Sequence, residues 1–235
     1  MRRWLQPLRN TVLHPQWFAL RDERQVRRWV KANANGRVLD IGCADEWARQ
    51  VISAQCEYIG LDYPLTAQGA YGTRPDVFAD GGLLPFRDGT FDTVLLLEVL
   101  EHVAEPARVL SEIERVLKSG GVLLLSMPFL YPLHDAPHDY QRYTAPGLKY
   151  AVVRAGLDCI EPLPRNTGFR TAALLLAIAC ADCVLSATRT RHWRLAFAPF
   201  LMVCIPIING LGWLLGWLGD SGMIASGHSI EARKP

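Results

Sequence analysis

From residue 37 to residue 127 the chain alternates short apolar runs with stretches whose apolar residues recur every three or four positions. The runs 37–42 (RVLDIG), 57–62 (EYIGLD), 91–97 (FDTVLLL) and 122–127 predict strands, with a weaker one at 76–79. The segments 44–54 and 106–118 predict helices. In the second, Ala107, Val109, Leu110, Ile113, Val116 and Leu117 share one stripe, and Ser119-Gly-Gly stops it. Strands apolar along their whole length are buried on both faces, which means a mainly parallel sheet with helices packed on each side. The expected class is therefore an α/β, doubly wound sheet. In such sheets ligands bind beyond the carboxyl ends of the strands.

Composition adds a partition that the bulk values hide. The 235 residues carry a formal charge of +2, which gives no reason to expect a nucleic-acid partner. Residues 1–37 carry nine Lys/Arg against two Asp/Glu, residues 38–164 nine against eighteen, and residues 165–235 seven against three. An acidic middle thus lies between basic flanks. Apolar residues cluster as well, with 33 of the 49 residues in 171–219 of that kind. At 50% hydrophobic residues the chain is neither disordered nor low-complexity. The N-terminal sequence MRRWLQP lacks the apolar core of a signal peptide, and the six cysteines form no paired framework, so reduced thiols in the cytosol are expected. Cys180 and Cys183 have redox spacing but lie in an apolar run, where packing is the simpler role.

The strand ends carry the chemistry. The first reads Asp40-Ile-Gly42-Cys43-Ala44-Asp45-Glu46, and a glycine there lets the backbone turn sharply and approach a ligand. Asp62-Tyr63 follows the second strand, about twenty residues on, where a carboxylate can accept both hydroxyls of a ribose. Asp80-Gly81 follows the third, where a carboxylate can accept from an adenine amino group. The dinucleotide pattern G-x-G-x-x-G is missing, which disfavours NAD.

VLDIGC, LDYP, the block LPFRDGTFD with Glu98-Val-Leu-Glu101-His102, and RVLKSGG resemble the class I S-adenosylmethionine-dependent methyltransferases. The resemblance covers residues 36–163, with a familiar closing strand at 226–234. It implies a seven-stranded Rossmann-like sheet whose last strand is antiparallel, and S-adenosylmethionine as cofactor. It also implies that Asp40 and Gly42, with Cys43 and Ala44, line the methionine part. Asp62 and Tyr63 then hold the ribose, Asp80 and Gly81 meet the adenine, and Glu98 sits beside the cofactor. Ala44 and Glu46 stand where family members usually have glycine. Glu46 either points inward, weakening cofactor binding, or outward at the helix start. The first case would give a catalytically dead scaffold.

On the acceptor side, His102 follows the fourth strand, and an imidazole is the side chain best suited to act as a general base. The pair Glu101-His102 resembles one in quinone-pathway O-methyltransferases. The alternative for His102 is a structural cap of the following helix. The segment 127–144 supplies His134 and His138 as further base candidates, and Tyr131, Asp139, Tyr140, Arg142 and Tyr143 as acceptor-binding candidates. Arg142 can clamp a phosphate or carboxylate. The alternative for this loop is a lid whose polar groups satisfy one another. No metal is expected, because Pro137 prevents the helix that would align His134 with His138.

In the related fold the last two strands form a hairpin. Here about sixty residues separate 157–163 from 226–233. They hold an apolar run 171–188 interrupted by Asp182, the basic cluster Arg189, Arg191 and Arg194, and a charge-free run of 25 residues at 195–219. Both ends of the insertion belong to one sheet, so a single span is excluded. Two spans would carry the arginines across the membrane, against the positive-inside rule. Prolines and glycines are expected to break up the second run. The expected arrangement is monotopic, with apolar helices in one leaflet and arginines on anionic headgroups. Trp4, Leu5, Leu8, Trp17 and Phe18 of the basic arm can lie on the same surface. A soluble helical cap or a homodimer interface is the alternative. The expected organisation is a basic arm over 1–35, a methyltransferase domain over 36–167 and 222–235, and an apolar insertion over 168–221. The expected activity is O-methylation of an amphiphilic or lipid-linked acceptor at the inner, cytoplasmic face of the membrane.

Overall fold

The structure is a computed structural model and describes residues 6–64 and 73–235. Trp4 and Leu5 lie outside the described residues. The chain forms two compact units. One comprises Val26–Phe129, Leu133–Leu163 and Gly227–Pro235, and the other the described residues up to Gln25, Leu130–Pro132 and Pro164–Ser226.

The first of these is built on a sheet in the order β3-β2-β1-β4-β5-β8-β6. Its strands are β1 (Arg37–Ile41), β2 (Glu57–Asp62), β3 (Val77–Phe78), β4 (Phe91–Leu97), β5 (Leu117–Pro128), β6 (Asp158–Cys159) and β8 (Ala225–Arg233). Strands β3, β2, β1, β4 and β5 run parallel, while β8 is antiparallel to both β5 and β6. The last strand is thus antiparallel, as expected.

Side chains alternate across this sheet and sort into two cores. Leu39, Ile41, Leu61, Val94, Leu96, Leu123 and Leu125 face helices α3 (Pro106–Val116) and α4 (Ala145–Arg154). Val38, Leu95, Val122 and Leu124 face Val26 and Val30 of α1 (Trp17–Asn33) and Ala48 of α2 (Trp47–Val51). Helix α3 buries Val109, Leu110, Ile113 and Val116, the three-and-four spacing of one stripe. Pro106 opens it, where a missing N–H costs nothing. Thr144 caps α4, its side chain accepting from the Gly147 amide at 3.2 Å.

Three elements differ from expectation. The helix expected over 44–54 shrinks to five residues, because Ala44 and Glu46 adopt left-handed backbone in the preceding turn. Helix α3 ends at Val116, since Leu117 is already extended and opens β5, which runs through Ser119-Gly-Gly. The strand expected over 157–163 is split into β6 and β7 (Leu163–Thr167), because Pro162 and Pro164 cannot donate to a ladder. With β7 pairing β8, the sheet has eight strands rather than seven.

The other unit holds α5 (Phe169–Arg189) and α6 (Ala198–Leu215), joined through a 3₁₀ turn at Trp193–Phe197. Trp17 and Phe18 of α1 pack on Ala173 and Leu174. The two long helices approach so closely at Gly212 that an added Cβ would stand 2.3 Å from that of Ala173. Buried Asn209 donates to the carbonyls of Val12 at 2.8 Å and His14 at 3.1 Å. Against expectation, α6 runs unbroken through Pro206 and Gly210. Pro206 removes one backbone donor without stopping the helix.

Candidate active site

The turn after β1 is held in a conformation that glycine favours. Gly42 has φ +71°, and an added Cβ would lie 2.5 Å from Val99 Cγ2. Its amide donates to the Leu61 carbonyl at 2.8 Å, tying the turn to β2. Ala44 and Glu46 follow at φ 49° and 54° without being glycine. An L-residue in this region costs roughly 1–2 kcal/mol. The Glu46 side chain lies over Gly60 of β2, and Arg49 donates to it at 3.0 Å and also to Asp76. Glu46 is therefore a paired charge.

Asp62 ends β2 and is buried. One carboxylate oxygen accepts from the Ala44 amide at 3.0 Å and the other from the Tyr63 amide at 2.7 Å. Burial raises its pKa, against the pull of these two N–H groups. Tyr63 is exposed beside it. Asp40 is buried on β1 and accepts from Tyr58 Oη at 2.6 Å. Burial pushes its carboxyl up to about 7, with the charges of Asp62, Glu46 and Asp45 adding to the rise and the Tyr58 hydroxyl opposing it. Cys43 is buried, and its thiol is pushed up for the same reason. Asp80 is exposed and turns back to accept from the Gly82 amide at 2.8 Å. Gly81 packs against the core, an added Cβ standing 3.3 Å from Ile41 Cγ2.

A second group of residues stands at the end of β4. Glu98 is another non-glycine residue in left-handed backbone, at φ 57°. Such strain is held in place by its surroundings and concentrates at functional sites. Its amide donates to the Ser126 carbonyl at 2.9 Å, and its carboxylate accepts from Ser126 Oγ at 2.8 Å. The 3₁₀ turn Leu100–His102 then turns Glu101 inward, fully buried.

The loop 133–143 returns to this turn. Gln141 donates to the carbonyls of Leu100 at 2.8 Å and Val103 at 2.9 Å, and the Tyr140 amide to that of Glu101 at 2.9 Å. This brings His134 to His102, with ring centroids 4.9 Å apart and edge to face. Nε2 of His102 is 3.6 Å and Nε2 of His134 3.8 Å from Glu101 Oε1. Nδ1 of His102 is 2.7 Å from the His138 carbonyl. Nδ1 of His134 is 3.3 Å from Asp139 Oδ2 and 3.4 Å from Arg142 Nη2. Arg142 grips Asp139 with both terminal nitrogens and holds its carboxyl well below the usual carboxylate range. Burial pushes Glu101 up to about 9, the Glu98 charge adding to the rise.

Of the expected base candidates, His102 and His134 thus face one another across Glu101. The His138 ring instead meets Tyr140 Oη at 3.0 Å. Of the expected acceptor-binding residues, Asp139 and Arg142 are paired with each other, and Tyr143 packs against the main core. Tyr131 belongs to the other unit, where its hydroxyl accepts from Gln16 Nε2 at 2.7 Å. Glu101 was expected only as half of the Glu101-His102 pair, with no role of its own, and Ser126 was not among the expected site residues. The 3₁₀ turn that buries Glu101 leaves no periodic signal in the sequence. Ser126 reads there as one more position in an apolar strand.

Residues 39–125 match the protein family described as a methyltransferase domain. A probable S-adenosylmethionine-dependent methyltransferase of Mycolicibacterium smegmatis is 35% identical over 117 residues, 48% of this chain and 45% of that protein. The demethylmenaquinone methyltransferase of Renibacterium salmoninarum is 30% identical over 139 residues, 53% of this chain and 59% of that protein. The chain therefore spans about half the length of these curated relatives. The crystal structure of the [4+2]-cyclase SpnF superposes with a TM-score of 0.57 at 18% identity, covering 94% of this chain and 83% of that one. That likeness shows the fold alone, and one fold can carry several chemistries. The strand order and the antiparallel last strand agree with this match of residues 39–125 to a methyltransferase domain.

Proposed function

We propose that this protein transfers a methyl group from S-adenosylmethionine to a hydroxyl oxygen of an amphiphilic acceptor at a membrane surface. One observation carries the reading. The turn Gly42–Glu46 with Asp62, and the cluster of Glu98, Glu101, His102 and His134, stand at the carboxyl ends of neighbouring strands of one sheet.

The residues fit the cofactor. Each carboxylate oxygen accepts up to two hydrogen bonds, so Asp62 can brace the turn and still receive the ribose hydroxyls. Gly42, at positive φ with Val99 packed against its Cα, sets the turn that receives the methionine part, and Asp40 on β1 adds a buried acidic group. Tyr63, Asp80 and Gly81 border the adenosine side, with Cys43 and Ala44 at the turn. Ala44 and Glu46 keep the glycine-type geometry, and Glu46 is paired with Arg49. Both features favour a functional site over an inactive scaffold. When bound, the cofactor supplies an electrophilic methyl group on a positively charged sulfur.

The chain's part is to align the acceptor and take up its proton. Methyl transfer is an in-line displacement, in which positioning supplies much of the rate. Nδ1 of His102 lies against the His138 carbonyl and Nδ1 of His134 against Asp139 and Arg142, which directs their Nε2 atoms toward Glu101 and the acceptor. The hydroxyl proton passes to one of these nitrogens as the oxygen attacks the methyl carbon. Loop 133–143, with Tyr140 exposed, borders the acceptor. The quinone substrate in the name of the Renibacterium salmoninarum relative supports an acceptor with an apolar tail. A lipid-linked saccharide, a quinone-like ring and a lipid headgroup all meet that description.

Membrane contact rests on α5 and α6. Phe169–Arg189 and Trp193–Leu215, the latter joining the 3₁₀ turn to α6, are each long and apolar enough to cross a bilayer, and both are mostly unburied. Asp182 in α5 is exposed, and exposed Arg189, Arg191 and Arg194 lie at and after its end. A charge at bilayer depth is costly, whereas arginines are stabilised at anionic headgroups. The helices therefore lie in one leaflet of the membrane's cytoplasmic face.

Isothermal titration with S-adenosylmethionine tests the core of this reading. Micromolar affinity is expected, falling at least about tenfold in Asp62→Asn, a loss of roughly 1.4 kcal/mol. No heat of binding at millimolar cofactor overturns it.

A further inference from the structure

We propose that Glu101, His102 and His134 form a binding site for one divalent transition-metal cation, zinc or a close neighbour. The Glu101 carboxylate is fully buried, and neither of its oxygens has a hydrogen bond from a described residue. A buried polar group without a partner is costly, and native structures seldom leave one without a reason. The two imidazoles that face it do not supply a hydrogen bond, because their Nε2 atoms stop at 3.6 and 3.8 Å from Oε1. That separation suits a shared cation. With metal–ligand bonds of about 2.1 Å, two donors of a tetrahedral site stand about 3.4 Å apart. One donor atom from each of the three residues fits within 4.8 Å of the other two.

The surroundings have the form of an outer coordination shell. Metal-bound histidines hold the other ring nitrogen on a carbonyl or carboxylate, which fixes the tautomer and the ring. Here Nδ1 of His102 lies 2.7 Å from the His138 carbonyl, and Nδ1 of His134 lies between Asp139 Oδ2 at 3.3 Å and Arg142 Nη2 at 3.4 Å. Arg142 clamps Asp139 in turn, and the Asp139 carboxylate also accepts from the His134 amide at 3.0 Å. This assigns the paired Asp139 and Arg142 a positioning role. It also replaces the arrangement set aside on sequence grounds, in which His134 would have paired with His138.

Two imidazoles and one carboxylate suit zinc, iron(II), cobalt(II) or manganese(II) better than calcium or magnesium, which favour all-oxygen shells. Three protein ligands leave a position open for an outside oxygen. Resting on the methyl-transfer reading, the acceptor hydroxyl takes that position. Its proton is then released to solvent, while its oxygen attacks the methyl carbon and the carbon–sulfur electron pair returns to sulfur. Coordination by a divalent cation makes such a hydroxyl more acidic. It would then hold the acceptor in place of a histidine base.

The test is titration of chelator-stripped full-length protein with Co²⁺, followed by its visible d–d absorption, and with Zn²⁺ as competitor. One equivalent of Co²⁺ is expected to bind and to be displaced by Zn²⁺. His102→Ala, His134→Ala and Glu101→Gln are each expected to weaken binding by more than about tenfold, and Asp139→Asn by roughly ten- to a hundredfold. His192→Ala, in the other unit, should bind as the parent does. Far-ultraviolet circular dichroism identifies any variant that fails to fold. For such a variant, the metal-dependent absorption is read from Glu101→Gln, the closest match in shape. No absorption at several-fold excess Co²⁺, or binding unchanged in the histidine variants, overturns the site. Because no methyl donor is present, that failure leaves the methyltransferase reading standing. Loss of S-adenosylmethionine binding with Co²⁺ binding intact overturns the methyltransferase reading alone.

Discussion

Ala44 and Glu46 do the work of glycines without being glycines. At φ 49° and 54° they hold the turn that separates β1 from α2. Ala44→Gly should therefore raise stability. Relief of left-handed strain outweighs the added freedom of the unfolded chain, giving a net gain of up to about 1 kcal/mol. Thermal unfolding should show a rise of roughly 2–4 °C for that gain in a chain of this size. An unchanged or lower midpoint would mean that the turn is not strained at Ala44. Glu46→Gly should gain less, since it also loses the pairing with Arg49. At this scale the sequence was informative where a residue's chemistry is visible from its neighbours. Gly42 and Asp62 stand out because a turn glycine and a strand-end carboxylate have few other uses. Glu101 stands out only as the neighbour of His102, since its own role comes from burial, which depends on a loop more than thirty residues away packing on its turn.

Among the elements, strands were more legible than helices. The apolar runs of β1, β2, β4 and β5 leave little alternative, because a segment buried on both faces has to be apolar throughout. Element ends were less legible. Helix α2 is short because its first turn is spent on the tight backbone of the site, and β6 is short because prolines follow it. Helix α6 reads as broken at Pro206, Gly210 and Gly212, yet it is continuous. Gly212 there serves packing, giving α5 room at Ala173. Gly212→Ala should cost about 1–3 kcal/mol through overpacking. Adding Ala173→Gly should recover most of that loss in chemical denaturation, because the two Cβ atoms compete for one space. Additive losses would show that the contact at Gly212 does not limit the approach of the helices.

At the scale of the molecule, the uneven charge of the chain maps onto its two units. The acidic middle of the sequence builds most of the sheet, while the unit of α5 and α6 carries exposed Arg189, Arg191 and Arg194 and most of the exposed large apolar side chains. Flotation with anionic phosphatidylglycerol vesicles should carry the protein to the top of a gradient, and neutral vesicles should carry less. Replacing Arg189, Arg191 and Arg194 with alanine should weaken partitioning by about 3 kcal/mol, roughly a hundredfold. Protein that stays at the bottom with anionic vesicles would instead point to a soluble cap or a dimer interface.

The place of β8 in the sheet also sets an order of events during synthesis. It lies between β5 and β6, yet it is translated after both and after the two long apolar helices. As the ribosome works from the amino end, α5 and α6 emerge while a gap remains between β5 and β6. For that interval the nascent chain displays its most adhesive segments while its sheet is unfinished. A bilayer or a chaperone at the ribosome exit would shield those segments until β8 arrives.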